Sequence, residues 1–499
     1  MIEAKIAPVS IGVMITTLLL VSCSKVEEHD GRETQVVADA ILRIDNGLLP
    51  AVAEQGKLGQ ATNILDRMAH YGVPGLAIAV IHDGEVVLER AHGTTEAGGV
   101  EPVTPDTMFQ VASISKPVTA VASLRLVQDG AITLDEDIGA WLDSWTIPRG
   151  ALSRKRPVTV RGILSHTSGF HGNDAVTDHE PGAPVPTLIQ ALSGEPPAKT
   201  GPVGFTDSVD TFDYSGSGYA VLQQLLIDVS GKPFAEFMRE SVFLPLQMHR
   251  STFDQAQPTA NFAKGHYAGG EPIEGGYRVY SGEAAAGLWS TASDLAKFVL
   301  SIQKAEVGEN RSLLTQETVS EMLHPQLLEC FRCWGLGFEI LGQGTASWFT
   351  HDGINTGYDS TLIAHSSSGD GAILMTNASL SFGLIDEILD SIATEYDWPN
   401  YFKKGQTESV PIPANALVSI PGEYELEPDF HVSVIADNGR LFFEIPTQGR
   451  TELYASSPTS FFITAIDWGP MTFATDDFGQ VTDMMIGQSD QQSTHRRLR

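Results

Sequence analysis

Residues 110–130 read QVASISKPVTAVASLRLVQDG, and the proline inside this run limits what the segment can become. From Ile114 to Gln128 the chain is almost entirely apolar or small, and Lys116 and Arg125 are its only charges. Such a stretch predicts a buried helix, ended by Gly130, a residue that readily adopts the left-handed conformation of a helix terminator. Proline lacks an N–H and clashes with the carbonyl four residues back, so it is expelled from helix interiors. It is tolerated in the first turn, where N–H groups have no intrahelical partner. Pro117 therefore predicts that the helix begins near Ser113 or Ile114, with the Ser113 hydroxyl at its N-terminus and Lys116 three residues on.

That placement carries chemistry. Serine is a weak nucleophile until a base removes its proton. Residues three apart share a helix face, so Lys116 lies beside Ser113. The partial positive charge of the helix start favours an alkoxide and disfavours an extra proton on the amine. Ser-x-x-Lys also occurs at Ser22–Lys25 and Ser301–Lys304, but neither sits at a buried helix start after a strand. Taken alone, Ser113 and Lys116 would equally suit a cap and a first-turn lysine. His351 and Asp352 are adjacent, so on a strand they point to opposite faces and do not form a triad with a serine. No G-x-S-x-G elbow and no metal-ligand spacing is found, and no cofactor or metal is expected.

The rest of the chain organises around this helix. Asn63–Tyr71 reads as helical. Gly75–Ile81 and Glu85–Arg90 are short β-rich runs joined by Asp83-Gly84, a tight-hairpin signal. Phe109–Ala112 is strand-like. Helices are predicted at Gly218–Val229 and at Ser293–Gln303, the latter capped by Ser293. Strands follow at Trp334–Leu341, Thr361–His365 and Ala372–Thr376, then a helix at Leu384–Tyr396. Residues 403–413 read as a linker. Beyond them, runs at His431–Ile435, Arg440–Ile445 and Met471–Thr475 predict a small all-β domain over 414–499.

The N-terminus points to export. Ile6–Val21 is mostly apolar and ends Leu20-Val21-Ser22-Cys23, too short for a comfortable span. Residues 1–22 are expected to be a signal peptide, Cys23 the lipidated residue of a bacterial lipoprotein on the periplasmic side of a membrane, and 23–34 a polar tether. The membrane is then reached only through the lipid. In an oxidising compartment Cys330 and Cys333 are expected to form a local disulfide. With 31 Lys+Arg against 62 Asp+Glu, a net charge of −31 argues against a nucleic-acid partner.

The wider sequence resembles the serine β-lactamase and penicillin-binding protein superfamily, in its class C β-lactamase-like branch. The matching stretches are Val73-Pro74-Gly75, FQVASISKPVTA from Phe109, ILSHTSGF from Ile163, FDYSGSGY from Phe212, Pro245-Leu246-Gln247-Met248, GLWSTASD from Gly287 and HDGINTGY from His351. The resemblance implies an α/β (α+β) fold: an antiparallel sheet built from both ends of a domain over 35–402, flanked by helices, with an inserted helical lobe. It implies Ser113 as the acylated nucleophile, Lys116 as its proton shuttle and Tyr214 as partner base and later acid. A lysine cation beside a phenol favours the phenol's basic form. His351-Asp352-Gly353 would lie on an edge strand lining the cleft, and the N–H groups of Ser113 and Ile354 would form an oxyanion hole.

Two departures shape the expected substrate. Gly216 stands where the family often has asparagine, and His351 where it commonly has lysine. Those side chains help to hold the amide and carboxylate of β-lactams, so efficient β-lactam hydrolysis is placed in doubt. The expectation is a serine hydrolase acting on an ester, amide or D-amino-acid peptide-like small molecule. A true β-lactamase or D,D-carboxypeptidase is the alternative within the class, and a non-catalytic envelope-binding lipoprotein the alternative outside it. His166 and Ser168 read as structural members of a loop cluster.

Overall fold

The computed structural model describes residues 37–148, 156–205, 211–256, 261–309, 313–327, 333–342, 347–427, 430–466, 468–487 and 492–498. The expected signal peptide, tether, Cys23 and Cys330 lie outside the described residues; Cys333 is disulfide-bonded.

The central sheet has seven strands: β1 (Gly75–His82), β2 (Glu85–Gly93), β3 (Cys333–Trp334), β4 (Glu339–Leu341), β5 (Trp348–Asn355), β6 (Tyr358–His365) and β7 (Gly371–Thr376). Their order is β2-β1-β7-β6-β5-β4-β3, and every pairing is antiparallel. The two N-terminal strands thus complete a sheet begun by five strands from beyond residue 330, as the resemblance implied. At the β1–β2 turn Asp83 and Gly84 have φ of 52° and 75°, both positive as a tight hairpin requires.

β1 shows why its run of apolar residues has no polar alternation. Ala77, Ala79 and Ile81 enter the core on one face; Leu76, Ile78 and Val80 enter a second core on the other. A strand covered on both sides has no face to give to water. The second core is closed by helices α1 (Ile64–Tyr71) and α6 (Phe382–Glu395). The first, larger core contains α2 (Ser115–Gln128), α3 (Gly216–Ser230), α4 (Glu283–Ala286) and α5 (Ala292–Glu306).

Helix ends follow local chemistry. Asn63 accepts the Leu65 N–H and caps α1. α2 closes with bonds from Gly130 N–H to the Val127 carbonyl and from Ala131 N–H to the Leu126 carbonyl, with Gly130 at φ 74°. This is the double-bonded left-handed stop that glycine permits. The cap of α5 is Thr291, whose Oγ1 accepts the Asp294 N–H at 3.1 Å, not Ser293 as expected. Ser293 is already inside the helix.

Two strand expectations are corrected. Trp334–Leu341 is not one strand but the β3–β4 hairpin. Its turn residues send their N–H groups elsewhere, Leu336 to the Met322 carbonyl and Gly337 to the Leu164 carbonyl. The segment read as a linker contains a strand: Thr407–Ser409 pairs in parallel with Val52–Glu54.

Residues 422–496 form eight antiparallel strands in sequence order. The Tyr424–Arg497 bridge and the bond from Leu498 N–H to the Glu423 carbonyl join the last strand to the first. The closed sheet is filled by Tyr424, Phe443, Phe461, Met471 and Met484. It seats on the larger domain through the Ala268 N–H, bonded to the Gln448 carbonyl, and through Leu380, which joins its core.

Candidate active site

Ser113 lies in a single 3₁₀ turn, Ala112–Ile114, wedged between the two-residue strand Phe109–Gln110 and α2. The helix therefore starts where Pro117 requires, and Pro117 occupies its first turn. The preceding Ala112 has φ 49°, a conformation disfavoured for a residue with a Cβ. Neighbouring strands and loops hold it there. The Val111 N–H bonds the Leu288 carbonyl, and the Val111 carbonyl accepts Ser360 Oγ at 3.1 Å. Ser115 Oγ donates to the Ala112 carbonyl at 2.6 Å and accepts the Leu288 N–H at 3.0 Å. Ser113 itself remains partly accessible.

Lys116 is 2% exposed. Its Nζ donates to Ser113 Oγ at 2.9 Å and to the Ala285 carbonyl on α4 at 2.9 Å. It also lies 4.8 Å from the Tyr214 ring centroid and 5.8 Å from that of Tyr219. These partners are neutral oxygens and aromatic faces. Burial lowers its pKa from 10.5 to about 7, so a large fraction of the amine is unprotonated near neutrality.

Tyr214 precedes Ser215, the cap of α3, whose Oγ accepts the Gly218 N–H. His166, at φ 59°, turns its ring under this corner: Nδ1 accepts the Ser215 N–H at 3.0 Å, and the ring centroid is 4.4 Å from that of Tyr214. An N–H can bond only an acceptor, so His166 carries its ring proton on Nε2. Burial first, then the Lys116 and His351 charges, push its pKa well below the usual value and keep it neutral. His166 thus has the structural place expected of it and, in addition, sets the position of Tyr214.

β5 supplies the opposite wall. Its pairing with β4 covers only Trp348, Phe349 and Thr350. From His351 onward that edge has no strand partner among the described residues, so β5, interior to the sheet at its start, becomes an edge beside the Ser113 turn. Gly353 lets it approach closely: a Cβ there would stand 2.3 Å from the Val111 carbonyl oxygen. This brings Ile354 beside the Ser113 turn. His351 is buried with its ring centroid 6.3 Å from Tyr214 and 5.3 Å from Trp334. Its Nδ1 donates to the Asp352 carbonyl, 2.7 Å away.

The Asp352 side chain does not join the site. Exposure alternates along β5, and Asp352 turns to the other face, where it accepts the Thr361 hydroxyl. The site thus brings together Ser113, Lys116, Tyr214, His351, Gly353 and Ile354, and leaves the Asp352 carboxylate outside.

Sequence reasoning missed three contributors. Trp334 stands between the Phe212, Tyr214, His166 and His351 rings, with centroid separations of 4.9–5.7 Å. The Ala285 carbonyl anchors Lys116. Asn173 fills the space beside Gly216: a Cβ at Gly216 would be 2.2 Å from Asn173 Oδ1, which accepts the Gly216 N–H at 3.2 Å. Only the glycine in the Tyr-Ser-Gly motif hinted at it.

Comparison with known proteins identifies the fold that carries this site. A family model described as Beta-lactamase matches residues 61–390. Penicillin-binding protein 4 of Amycolatopsis lactamdurans is 25% identical over 343 residues, 66% of this chain and 87% of that protein. The octameric penicillin-binding protein homologue from Pyrococcus abyssi superposes with a TM-score of 0.58 at 20% identity, covering 87% of this chain and 98% of that one. D-amino acid amidase from Ochrobactrum anthropi SV3, complexed with D-phenylalanine, gives a TM-score of 0.55 at 23% identity over 71% of this chain and 99% of its own.

Proposed function

The chain belongs to the beta-lactamase family and is a serine hydrolase of that fold, and from this premise we propose that it works by acylation of Ser113 on an ester, amide or D-amino-acid peptide-like substrate. One observation carries the reading: a buried amine whose pKa is lowered to about 7 lies 2.9 Å from a partly accessible serine hydroxyl at a helix start. As Ser113 Oγ attacks the substrate carbonyl carbon, its proton passes to the neutral Lys116 amine. The carbonyl oxygen gains negative charge, met by the N–H groups of Ser113 and Ile354. The ammonium's proton moves through the Tyr214 phenol to the leaving oxygen or nitrogen, and the C–O or C–N bond breaks. Water then attacks the Ser113 ester with the same groups acting in reverse, giving the acid and restoring the hydroxyl.

The His351 wall supports small amide or ester substrates over anionic β-lactams. His351 places an imidazole, shorter than a lysine and held by its bond to the Asp352 carbonyl, where the family commonly has a lysine. The D-amino acid amidase likeness supports the same substrate class by fold analogy. Export with a lipid on Cys23 is part of the proposal and rests on the leader sequence alone.

A fluorophosphonate probe tests the reading. It should label wild type at Ser113 and leave Ser113→Ala unlabelled. Kinetics on p-nitrophenyl esters, D-amino-acid amides and nitrocefin should rank nitrocefin last. Labelling that persists in Ser113→Ala would remove the assignment, and a fast nitrocefin reaction would make the protein a β-lactamase instead.

A further inference from the structure

Apolar side chains left in solvent are ordinary when scattered and informative when they gather. They gather where the chain enters the described structure. Val37, Leu42, Leu49, Leu58 and Leu65 are all exposed, Leu42 at 60%, and Phe402 reaches 84%. Hydrogen bonds tie these positions into one surface. Asn46 Nδ2 donates to the Leu42 carbonyl at 2.8 Å, and Asn63 Nδ2 donates to Asn46 Oδ1 at 2.8 Å, which sets Leu42 near Leu65 in the first turn of α1. Gln406 joins the other half. Its Nε2 donates to the Pro50 carbonyl at 2.9 Å and its Oε1 accepts the Gly59 N–H at 2.6 Å, which draws Leu49, Leu58 and the segment after Phe402 together.

The surface has a firm underside. In the helix over 37–46, Ile44 turns into the second core, as does Leu48 after it, while Ala38, Leu42 and Asn46, four apart, form the outward stripe. Arg43 is held to Glu395 by two bonds at 2.7 and 2.6 Å, and Lys403 Nζ bonds Thr394 Oγ1 at 2.9 Å, so both strips are fixed on α6. Charge does not supply the attraction. Lys57 pairs with Glu54, Arg43 pairs with Glu395, and the whole chain carries −31. What the surface offers to a partner is apolar.

The chain outside the structure says what covers it. Residues 24–36 separate Cys23 from Val37, and even fully extended they span no more than about 50 Å. A lipid on Cys23 would hold this surface, from which the chain leaves, closest to the bilayer. At the high effective concentration that a tether gives, even weak apolar contact is populated. Exposed leucines and a phenylalanine suit the boundary between headgroups and acyl chains, which they enter without spanning the bilayer. We propose that the face formed by Leu42, Leu49, Leu58, Leu65 and Phe402 is a membrane-contact surface, seated on a neutral phospholipid bilayer. It lies on the α1–α6 side of the sheet, opposite Lys116, so docking leaves Ser113 open to water. This rests on the reading of Cys23 as lipidated and is independent of the Ser113 chemistry.

Full-length acylated protein in vesicles of phosphatidylethanolamine and phosphatidylcholine tests it. An NBD fluorophore is attached at Leu42→Cys, Phe402→Cys or Phe478→Cys, the last an 89% exposed position at a hairpin tip of the C-terminal barrel. Doxyl-labelled lipid should quench the first two at least about threefold more than the third. Leu49→Glu combined with Leu65→Glu should roughly halve the quenching at Phe402→Cys and leave p-nitrophenyl ester turnover within about twofold, as surface changes away from the site do. Replacing part of the neutral lipid by phosphatidylglycerol should weaken the quenching at low salt, and added salt should restore it, because chain and lipid then share a charge. Equal quenching at all three positions, in protein that floats with the vesicles, would leave a tether without a docked face and overturn the proposal. A signal at Leu42→Cys and Phe402→Cys that follows protein density and ignores doxyl lipid would give the face to a second copy instead. Protein that does not float, and matches Cys23→Ser, would remove the lipid anchor and this proposal with it, whatever fluorophosphonate does at Ser113.

Discussion

Two cations, one partly and one fully buried, lie on opposite faces of one sheet, and their surroundings give them opposite fates. Arg67 on α1 makes a two-pronged pair with Glu387 on α6, at 2.7 and 2.8 Å. Glu387 also accepts Tyr71 Oη at 2.9 Å and the Ala51 N–H at 2.7 Å. Burial alone would pull the Arg67 pKa down, but the Glu387 hydrogen bonds and charge more than offset it and raise it. Lys116 is more deeply buried than Arg67, and its hydrogen bonds go to a hydroxyl and a carbonyl instead of a carboxylate. It holds its proton loosely. Depth of burial and the charge of what a cation is buried against together decide whether it is structural or reactive.

The largest effects should come from removing that difference at Lys116. Lys116→Arg places a group there that cannot lose its proton. We expect kcat/KM to fall on the order of 10³-fold, the size of a lost general base. Ser113→Ala should fall further, by at least on the order of 10⁴-fold. In wild type, kcat/KM should rise through a pH of about 7 as the amine becomes neutral, and decline about tenfold per unit below it. A flat profile between pH 5 and 8 would show that Lys116 is not the titrating base.

The other face should respond in stability, not rate. Glu387→Ala strands the Arg67 charge and four hydrogen-bond donors, two on Arg67 itself and one each on Tyr71 and Ala51. Breaking one side of a buried pair costs about 3–5 kcal/mol. Denaturant unfolding should show a loss of that order, while p-nitrophenyl ester turnover at a temperature where the protein stays folded changes less than about threefold. A rate collapse with unchanged stability would join the two faces in a way the geometry does not.

Lys116→Met sharpens the contrast by making the active protein the less stable one. The unfolded lysine titrates near 10.5 and the folded one near 7. Between those values the unfolded chain holds a proton that the folded chain has shed, so wild-type stability rises with pH across that window. Below about pH 7 the folded state carries the full penalty of a buried charge. Lys116→Met should therefore stabilise the protein most near pH 6, by about 2–4 kcal/mol, with the gain shrinking toward pH 10. A gain that grows with pH would reverse the sign assigned to Lys116.

Much of the site is legible because its decisive geometry is local. Pro117 dates the helix start, Gly130 its end, and three-residue spacing puts Lys116 on Ser113. The sheet is legible where glycine marks a turn, as at Asp83-Gly84. What escapes is what the fold supplies from a distance. The Ala285 carbonyl is 169 residues from Lys116, and Asn173 is 43 from Gly216, with nothing in either local sequence to announce the partner. The β3–β4 turn was hidden for a related reason, since its N–H groups bond other elements and the apolar pattern runs through it unbroken. Thr291 and Ser293 are both competent caps two residues apart, and only the observed backbone separates them.

The smallest expected effect is the most local test of the same contrast. Asp352 is adjacent to His351, yet its carboxylate sits on the Glu387 side of the sheet and accepts the Thr361 hydroxyl. A charge this near the site would alter the Lys116 proton if it shared the site's face. On the opposite face it is separated by the strand itself and is largely open to solvent, where screening weakens it. Asp352→Asn should leave kcat/KM within about twofold and leave the acid limb of the pH profile within a few tenths of a unit. The same substitution should cost less than about 1 kcal/mol, because asparagine still accepts the Thr361 hydroxyl. If the acid limb instead moves by a full unit, the sheet does not insulate its two faces, and the division between a structural and a reactive cation would have to be replaced by one coupled network.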